Sequence, residues 1–277
     1  MKQAPKQYPD PAGRSHPDMS PLITLTTDFG ERDFYVAAMR GVILSRCPQA
    51  SVVDLGHALP PRDLVAAALF LEGAAPHFPD GTIHVAVVDP GVGTLRHPVA
   101  VRAGNQCFVC PDNGLLTLVL KHLPLHEARV IASPACMAAS ISPTFHGRDV
   151  FAPAAAYLAA GNPFCEIGPV QETLHKLNIP EPAWVSETRL DGAVIHVDAF
   201  GNLVTNITAA WLEGKKIRRL RVGLLTLKGI ASTFADVPEG EPLAYFGSSG
   251  RLEIAVNQGH AANQYGVARN STVELEA

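Results

Sequence analysis

Two carboxylates stand where a parallel strand would hand its chain to solvent. Asp28 closes the apolar run "LITLTT" at the head of "TTDFGERD", and Asp89 closes "TIHVAVV" at the head of "VVDPGVGTLRHP". Seven residues beyond Asp89 comes Arg96, across a Pro-Gly-Val-Gly turn. Gly91 and Gly93 let that turn pass close to other groups and bring the guanidinium back towards the carboxylate. In open parallel sheets ligands bind beyond the carboxyl ends of the strands, where both acids stand. A third polar concentration, "SPTFHGRDVFAP", gives His146 an open approach beside Gly147 at the mouth of a helix that the spacing predicts over 149–161. Asp149 reads there as the N-cap, with Pro153 tolerated in the first turn. The bland alternatives are turn-capping aspartates, a structural ion pair and a packed histidine.

A second constellation lies downstream, in "HVDAFGNLVTN". Asp198, Gly201 and Asn202 are good turn formers, but Phe200 offers a stacking face and Asn202 the donor and acceptor that an adenine edge requires. Familiar motifs fail at the same places. "GVG" lacks the third glycine and the following helix of a dinucleotide loop, and "TDFG" has no kinase glycine loop or "HRD" beside it. "CFVC" has no second Cys or His pair, so alternation along a strand explains it better than zinc. The acids stand singly, unlike a cluster of hard oxygen ligands, and no metal or cofactor is expected.

The elements that must position these residues fall into two textures. Strand-like runs at 22–28, 50–56 and 82–89 alternate with helical periodicity at 33–47 and 63–78. This predicts an α/β N-terminal domain over 21–170, with helices on both faces of a mostly parallel sheet. The proline-dotted, aperiodic stretch 171–187 reads as a linker. Beyond it, "AVIHVD", "NLVTNI", "RRLRVG", "PLAYF", "LEIAVN" and "TVELE" predict a smaller all-β, barrel-like C-terminal domain over 188–277. Residues 1–20, rich in proline and polar groups, read as a disordered tail.

With 277 residues, 47% hydrophobic and 17% charged, the chain can bury a large core. A net charge of -4 without a basic cluster argues against nucleic acid or an anionic membrane as partner, which leaves small-molecule chemistry. No apolar run is long enough to span a bilayer, and the first twenty residues lack a signal-peptide core. Five scattered cysteines suit reduced core thiols, and with these features imply a cytoplasmic protein.

The segments "TDFG", "DFYVAAMRG", "VVDLGHALPPRDLVAAALFL", "FPDGTIHVAVVDPGVGTLR", "PDNGLLT", "TFHGRDVFAPAAAYLA", "DAFGNLVTN" and "LEIAVNQG", in this order, resemble the S-adenosyl-L-methionine hydroxide adenosyltransferases, relatives of the fluorinases and chlorinases. The resemblance runs from about residue 22 to the C-terminus. It implies a trimer with active sites between subunits, and release of adenosine and L-methionine by attack of water at the 5′ carbon. It assigns water activation to Asp89, Arg96 and His146, and ribose binding to Asp28. The remaining nucleoside contacts fall on Asp198, Phe200 and Asn202, and on Tyr245, Ser248 and Glu253 of "YFGSSGRLEIAV". Ala37 departs from the glycine that many relatives carry after "DxYV", away from the triad. Arg96 should weaken Asp89 as a base, which makes neutral His146 the better proton acceptor at pH 7. Halide transfer on the same scaffold, and adenosine binding without turnover, are the alternative readings.

Overall fold

The computed structural model describes residues 20–212 and 214–277, so the expected tail at 1–20 lies, but for Ser20, outside the described residues. The N-terminal half runs β1 (Leu22–Thr27), α1 (Tyr35–Arg46), β2 (Ser51–Gly56), α2 (Leu64–Ala74), β3 (Ile83–Val87), β4 (Pro98–Ala103), β5 (Gln106–Pro111), β6 (Leu125–Val130) and α3 (Ala152–Ala159). Its six strands form one sheet in the order β2-β1-β3-β5-β4-β6. β1 pairs parallel to β2 and β3, and β3 parallel to β5. β4 is antiparallel to both β5 and β6, so the sheet is mixed and only partly parallel. Local turn chemistry explains the departure. Gly104, at a φ of 53°, and Asn105 reverse the chain in two residues, and a hairpin that short makes neighbours antiparallel.

β3 is buried along all five residues, as expected for a strand covered on both faces. α1 buries Val36, Met39 and Ile43, one stripe at helical spacing. α2 begins at Asp63, whose carboxylate accepts from the amides of Val65 and Ala66 at 3.1 and 3.0 Å. α3 is entered through a wide π-turn over Gly147–Phe151. Pro153 has no N–H to bond back into this turn, and the amide of Ala138 takes the Asp149 carbonyl instead, at 2.8 Å. Asp149 is therefore inside the turn rather than its N-cap. Its carboxylate accepts from the Ser142 amide and from Arg148.

Residues 171–182 carry no regular secondary structure. The C-terminal half then runs β7 (Ala183–Trp184), β8 (Arg189–Val197), β9 (Leu203–Thr208), β10 (Arg219–Val222), β11 (Leu225–Leu227), β12 (Pro242–Phe246), β13 (Arg251–Val256), α4 (Ala261–Tyr265) and β14 (Thr272–Glu276). The strand order is β11-β10-β14-β8-β9-β13-β12, antiparallel throughout, with β7 paired on β8. The amide of Ala231, just past β11, donates to the carbonyl of Ala244 in β12 at 2.8 Å, which nearly closes the sheet into a barrel. Leu190, Val194, Leu203, Ile207, Leu252 and Ile254 fill its interior. Two ion pairs tie the halves together, Arg251 to both oxygens of the nearly buried Glu72 in α2, and Arg269 to Asp63 at 2.8 Å. No described helix is long and apolar enough to cross a membrane.

Candidate active site

In the parallel register Thr27 of β1 faces Val87 of β3, so Asp28 and Asp89 emerge from neighbouring strands at the same sheet end. Ligands bind at that end in open α/β sheets. The loop after β3 is set by Gly93, at a φ of 78°, where a Cβ would lie 2.6 Å from the carbonyl oxygen of Pro143. Only glycine lets the Arg96 loop rest on the backbone that leads to His146.

Arg96 then joins the other two residues. Its Nε donates to both oxygens of Asp89, at 3.1 and 3.0 Å, and its Nη2 donates to Oδ2 as well. The same Nη2 donates to Nδ1 of His146 at 2.7 Å. Both charged side chains are nearly buried, Asp89 4% and Arg96 9% exposed, so the pair is shielded from competing water. A guanidinium can only donate. Nδ1 of His146 is therefore an acceptor, and the neutral ring carries its hydrogen on Nε2. Burial, followed by the charge of Arg96, pushes the His146 pKa down, which keeps the ring neutral at pH 7. The expectation that His146 takes the proton meets an obstacle here, because its free-base nitrogen is already occupied by Arg96.

Asp28 is held by residues whose part the sequence reading did not foresee. Its Oδ2 accepts from the amide of Arg62 at 2.8 Å, and Arg62 adopts a φ of 65°, a strained conformation for that side chain. Next to it, the Thr27 hydroxyl bonds to Nδ1 of buried His57 at 2.9 Å, and the amide of Gly30 to the His57 carbonyl at 2.7 Å. The β2–α2 loop thus clamps the turn that presents Asp28. Its sequence signal was "GHALPPRD", a proline-stiffened loop with one histidine.

In the C-terminal half, Asp198, Phe200, Asn202, Tyr245, Ser248 and Glu253 all line a single cavity of about 620 Å³. Asp198 organises its own turn, accepting from the amides of Phe200 and Asn202 at 2.9 and 2.8 Å. It also accepts from Nδ2 of Asn202 at 2.9 Å, which fixes the buried amide and leaves its carbonyl and second N–H for a ligand. Phe200 is 77% exposed, an open ring face at the cavity wall. Gly201, at a φ of 83°, is packed so closely on the His260 ring that a Cβ would sit 2.1 Å from it. The Tyr245 hydroxyl donates to Glu253 at 2.6 Å. Burial raises the Glu253 pKa, the Tyr245 bond opposes that, and Asp198 adds to it. Burial and the Glu253 bond raise that of Tyr245. Phe234 and Gln258 also line the cavity and were not foreseen. Only the φ of 56° at Gln258 marks it as special, and that is invisible in sequence.

None of Asp28, Asp89, Arg96 and His146 lines this cavity. The protein thus pairs a charged cluster at the strand ends of an α/β half with an aromatic, carboxylate-lined cavity in a nearly barrel-shaped β half. The chain belongs to the SAM hydroxide adenosyltransferase family. The N-terminal domain model of that family matches residues 23–168, and the C-terminal domain model residues 192–274. It is 43% identical to the (R)-S-adenosyl-L-methionine hydrolase of Thermus thermophilus, over 93% of this chain and all of that protein. A fluorinase of an Actinoplanes species is 31% identical, with 92% and 97% covered. Among solved structures, an uncharacterized conserved protein from Thermotoga maritima superposes with a TM-score of 0.84 at 36% identity, covering 92% of this chain and all of the other.

Proposed function

We propose that this chain hydrolyses S-adenosyl-L-methionine to adenosine and L-methionine by attack of water on the ribose 5′ carbon. The observation that carries the reading is the single guanidinium that binds Asp89 and His146 at once. The 5′ C–S bond breaks with its electron pair going to sulfur, which turns the sulfonium into the neutral thioether of methionine. A C–O bond forms on the opposite side, and the attacking water loses one proton. Asp89 accepts a hydrogen bond from that water, and Nε2–H of His146 donates to it, so the two fix the line of attack. As the C–O bond forms, the water becomes a strongly acidic oxonium, for which even a carboxylate paired with Arg96 is a sufficient base. Asp89 takes the proton and returns it to solvent, while Arg96 holds both partners in place. The sulfonium is itself the leaving group, so the reaction needs no metal or cofactor.

Asp28 binds the ribose hydroxyls, Phe200 stacks on adenine, and Asn202 pairs with its edge. Asp198 braces Asn202, and Ser248, Tyr245 and Glu253 complete the nucleoside wall. The triad is in one half and the nucleoside cavity in the other, with no lining residue in common. A complete site then forms between copies of the chain, in a homotrimer. Leu95, 99% exposed on the loop that carries Arg96, is suited to such an interface. The five free cysteines support work in a reducing compartment, the cytoplasm.

The test is incubation with S-adenosyl-L-methionine, with and without fluoride, chloride or bromide, followed by separation of the nucleosides. Adenosine formed without halide supports hydrolysis. A 5′-halogenated nucleoside would move the chain to halide transfer, and adenosine binding without any product would leave a binding protein.

A further inference from the structure

Beside the triad stands an aromatic cluster that neither water activation nor adenine binding uses. Phe29 directly follows Asp28, Phe145 directly precedes His146, and Phe34 and Tyr35 open α1. Ring centroids are 5.1 Å apart for Tyr35 and Phe145, 4.7 Å for Phe34 and Tyr35, 5.8 Å for Phe29 and Tyr35, and 6.1 Å for Phe29 and Phe145. Together with Arg148 these four rings line an open cavity of about 440 Å³. Phe34 is 63% and Tyr35 39% exposed, so these two rings present surface outward, while Phe145 is buried in the core and Phe29 packs against it.

The cluster already accepts one cation. The Arg148 guanidinium lies 5.1 Å from the centre of the Phe145 ring. Its charge is matched by Asp149, through bonds of 2.7 and 2.9 Å, so it does not repel a second cation from the cavity. The electron-rich faces of Phe29, Phe34 and Tyr35 are left for that cation.

We infer that Phe29, Phe34, Tyr35 and Phe145 form a cage for the sulfonium-bearing arm of the substrate, a specificity subsite that rests on the hydrolase reading above. A sulfonium carries methyl and methylene groups, donates no conventional hydrogen bond and accepts none. It suits ring faces better than a hydrated carboxylate. The placement also fits the chemistry, because the 5′ carbon stands between the attacking water and the leaving sulfur, within a few ångströms of each, and Phe29 and Phe145 adjoin Asp28 and His146 in the chain. The attraction is strongest in the ground state, since the positive charge on sulfur fades as the 5′ C–S bond breaks. The cage therefore improves capture of the cationic substrate over the neutral thioether, and its loss raises KM without lowering kcat.

The experiment measures binding of three ligands by calorimetry: sinefungin, in which an ammonium-bearing carbon replaces the sulfonium; S-adenosyl-L-homocysteine, the neutral thioether; and adenosine. Wild type is compared with a Phe34→Leu/Tyr35→Leu double variant, which keeps apolar bulk and removes the π faces, and with Phe34→Tyr, which keeps a face. The expected result is about a tenfold loss for sinefungin in the double variant, less than twofold for the other two ligands, and wild-type behaviour in Phe34→Tyr. An equal loss for all three, or no loss for any, would overturn the cage while adenosine binding to wild type left the hydrolase reading intact. Failure of wild type to bind adenosine would remove both.

Discussion

The two halves of the proposed site are built in opposite ways. In the N-terminal half, Arg96 ties the nearly buried Asp89 to the half-buried His146, with geometry set by a glycine turn and a π-turn. In the C-terminal half, Asp198 and Tyr245 brace Asn202 and Glu253 from behind, while Phe200 stays open. The first arrangement suits holding one water and one proton, the second admitting and orienting a flat, amphipathic ligand. Chemistry and recognition are thus separable by substitution.

Asp89→Asn separates them most sharply. It keeps the shape but removes the base and the charge that Arg96 faces, and kcat is expected to fall about a thousandfold. Adenosine affinity, read by calorimetry, should change little. A comparable loss of adenosine affinity would break the division between the halves.

His146→Asn is expected to cost less, on the order of thirtyfold in kcat, because Oδ1 of asparagine can still accept from Arg96. The pH profile sharpens this prediction. The His146 pKa is depressed below 6.5 by burial and by Arg96, so the ring is neutral above that value and becomes protonated as pH falls through its lowered pKa. Protonation fills Nδ1 and ejects the Arg96 bond. Wild-type kcat should therefore fall on an acid limb below pH 6.5 that His146→Asn lacks, and an unchanged limb in the variant would assign it elsewhere.

On the other side of the comparison, Asn202→Ala should weaken adenosine about tenfold and raise KM alike, with kcat nearly preserved. A loss confined to kcat would place Asn202 in the chemistry instead.

The smallest effect on activity lies outside both sites and serves as a control. His84 is fully buried in β3, 2.8 Å from the Thr24 hydroxyl, and burial lowers its pKa to about 4. The folded state thus binds its proton less readily than the unfolded chain does. The stabilisation is complete above pH 6.5 and is lost as pH falls towards 4, to a limit of about 3 kcal/mol. Denaturant unfolding of His84→Asn should show a smaller stability loss than wild type between pH 7 and 4.5, with the acid limb of kcat unaltered.

The site was more legible in sequence than the sheet around it. Asp89 and Arg96 are close in the chain and flank a turn, so their meeting is a local event that spacing can forecast. Asp198 and Asn202 share one turn in the same way. β4 escaped because "PVAVRA" follows a glycine-rich loop and its direction depends on the Gly104–Asn105 reversal, a two-residue signal inside an apolar region. The N-cap reading of Asp149 failed because Pro153 forces a wider turn and opens its carbonyl to Ala138, a partner set by tertiary packing. The tautomer of His146 also escaped, since it depends on which nitrogen a residue fifty positions away approaches. The aromatic cluster draws on three separate segments, and no local pattern announces it.

The most direct test of the central claim is turnover of S-adenosyl-L-methionine in water enriched in oxygen-18, with Asp89→Asn alongside. The account predicts adenosine carrying the label in its 5′ hydroxyl, unlabelled methionine, and loss of both products in the variant. Unlabelled adenosine, a thioether nucleoside in its place, or full turnover by Asp89→Asn would contradict it.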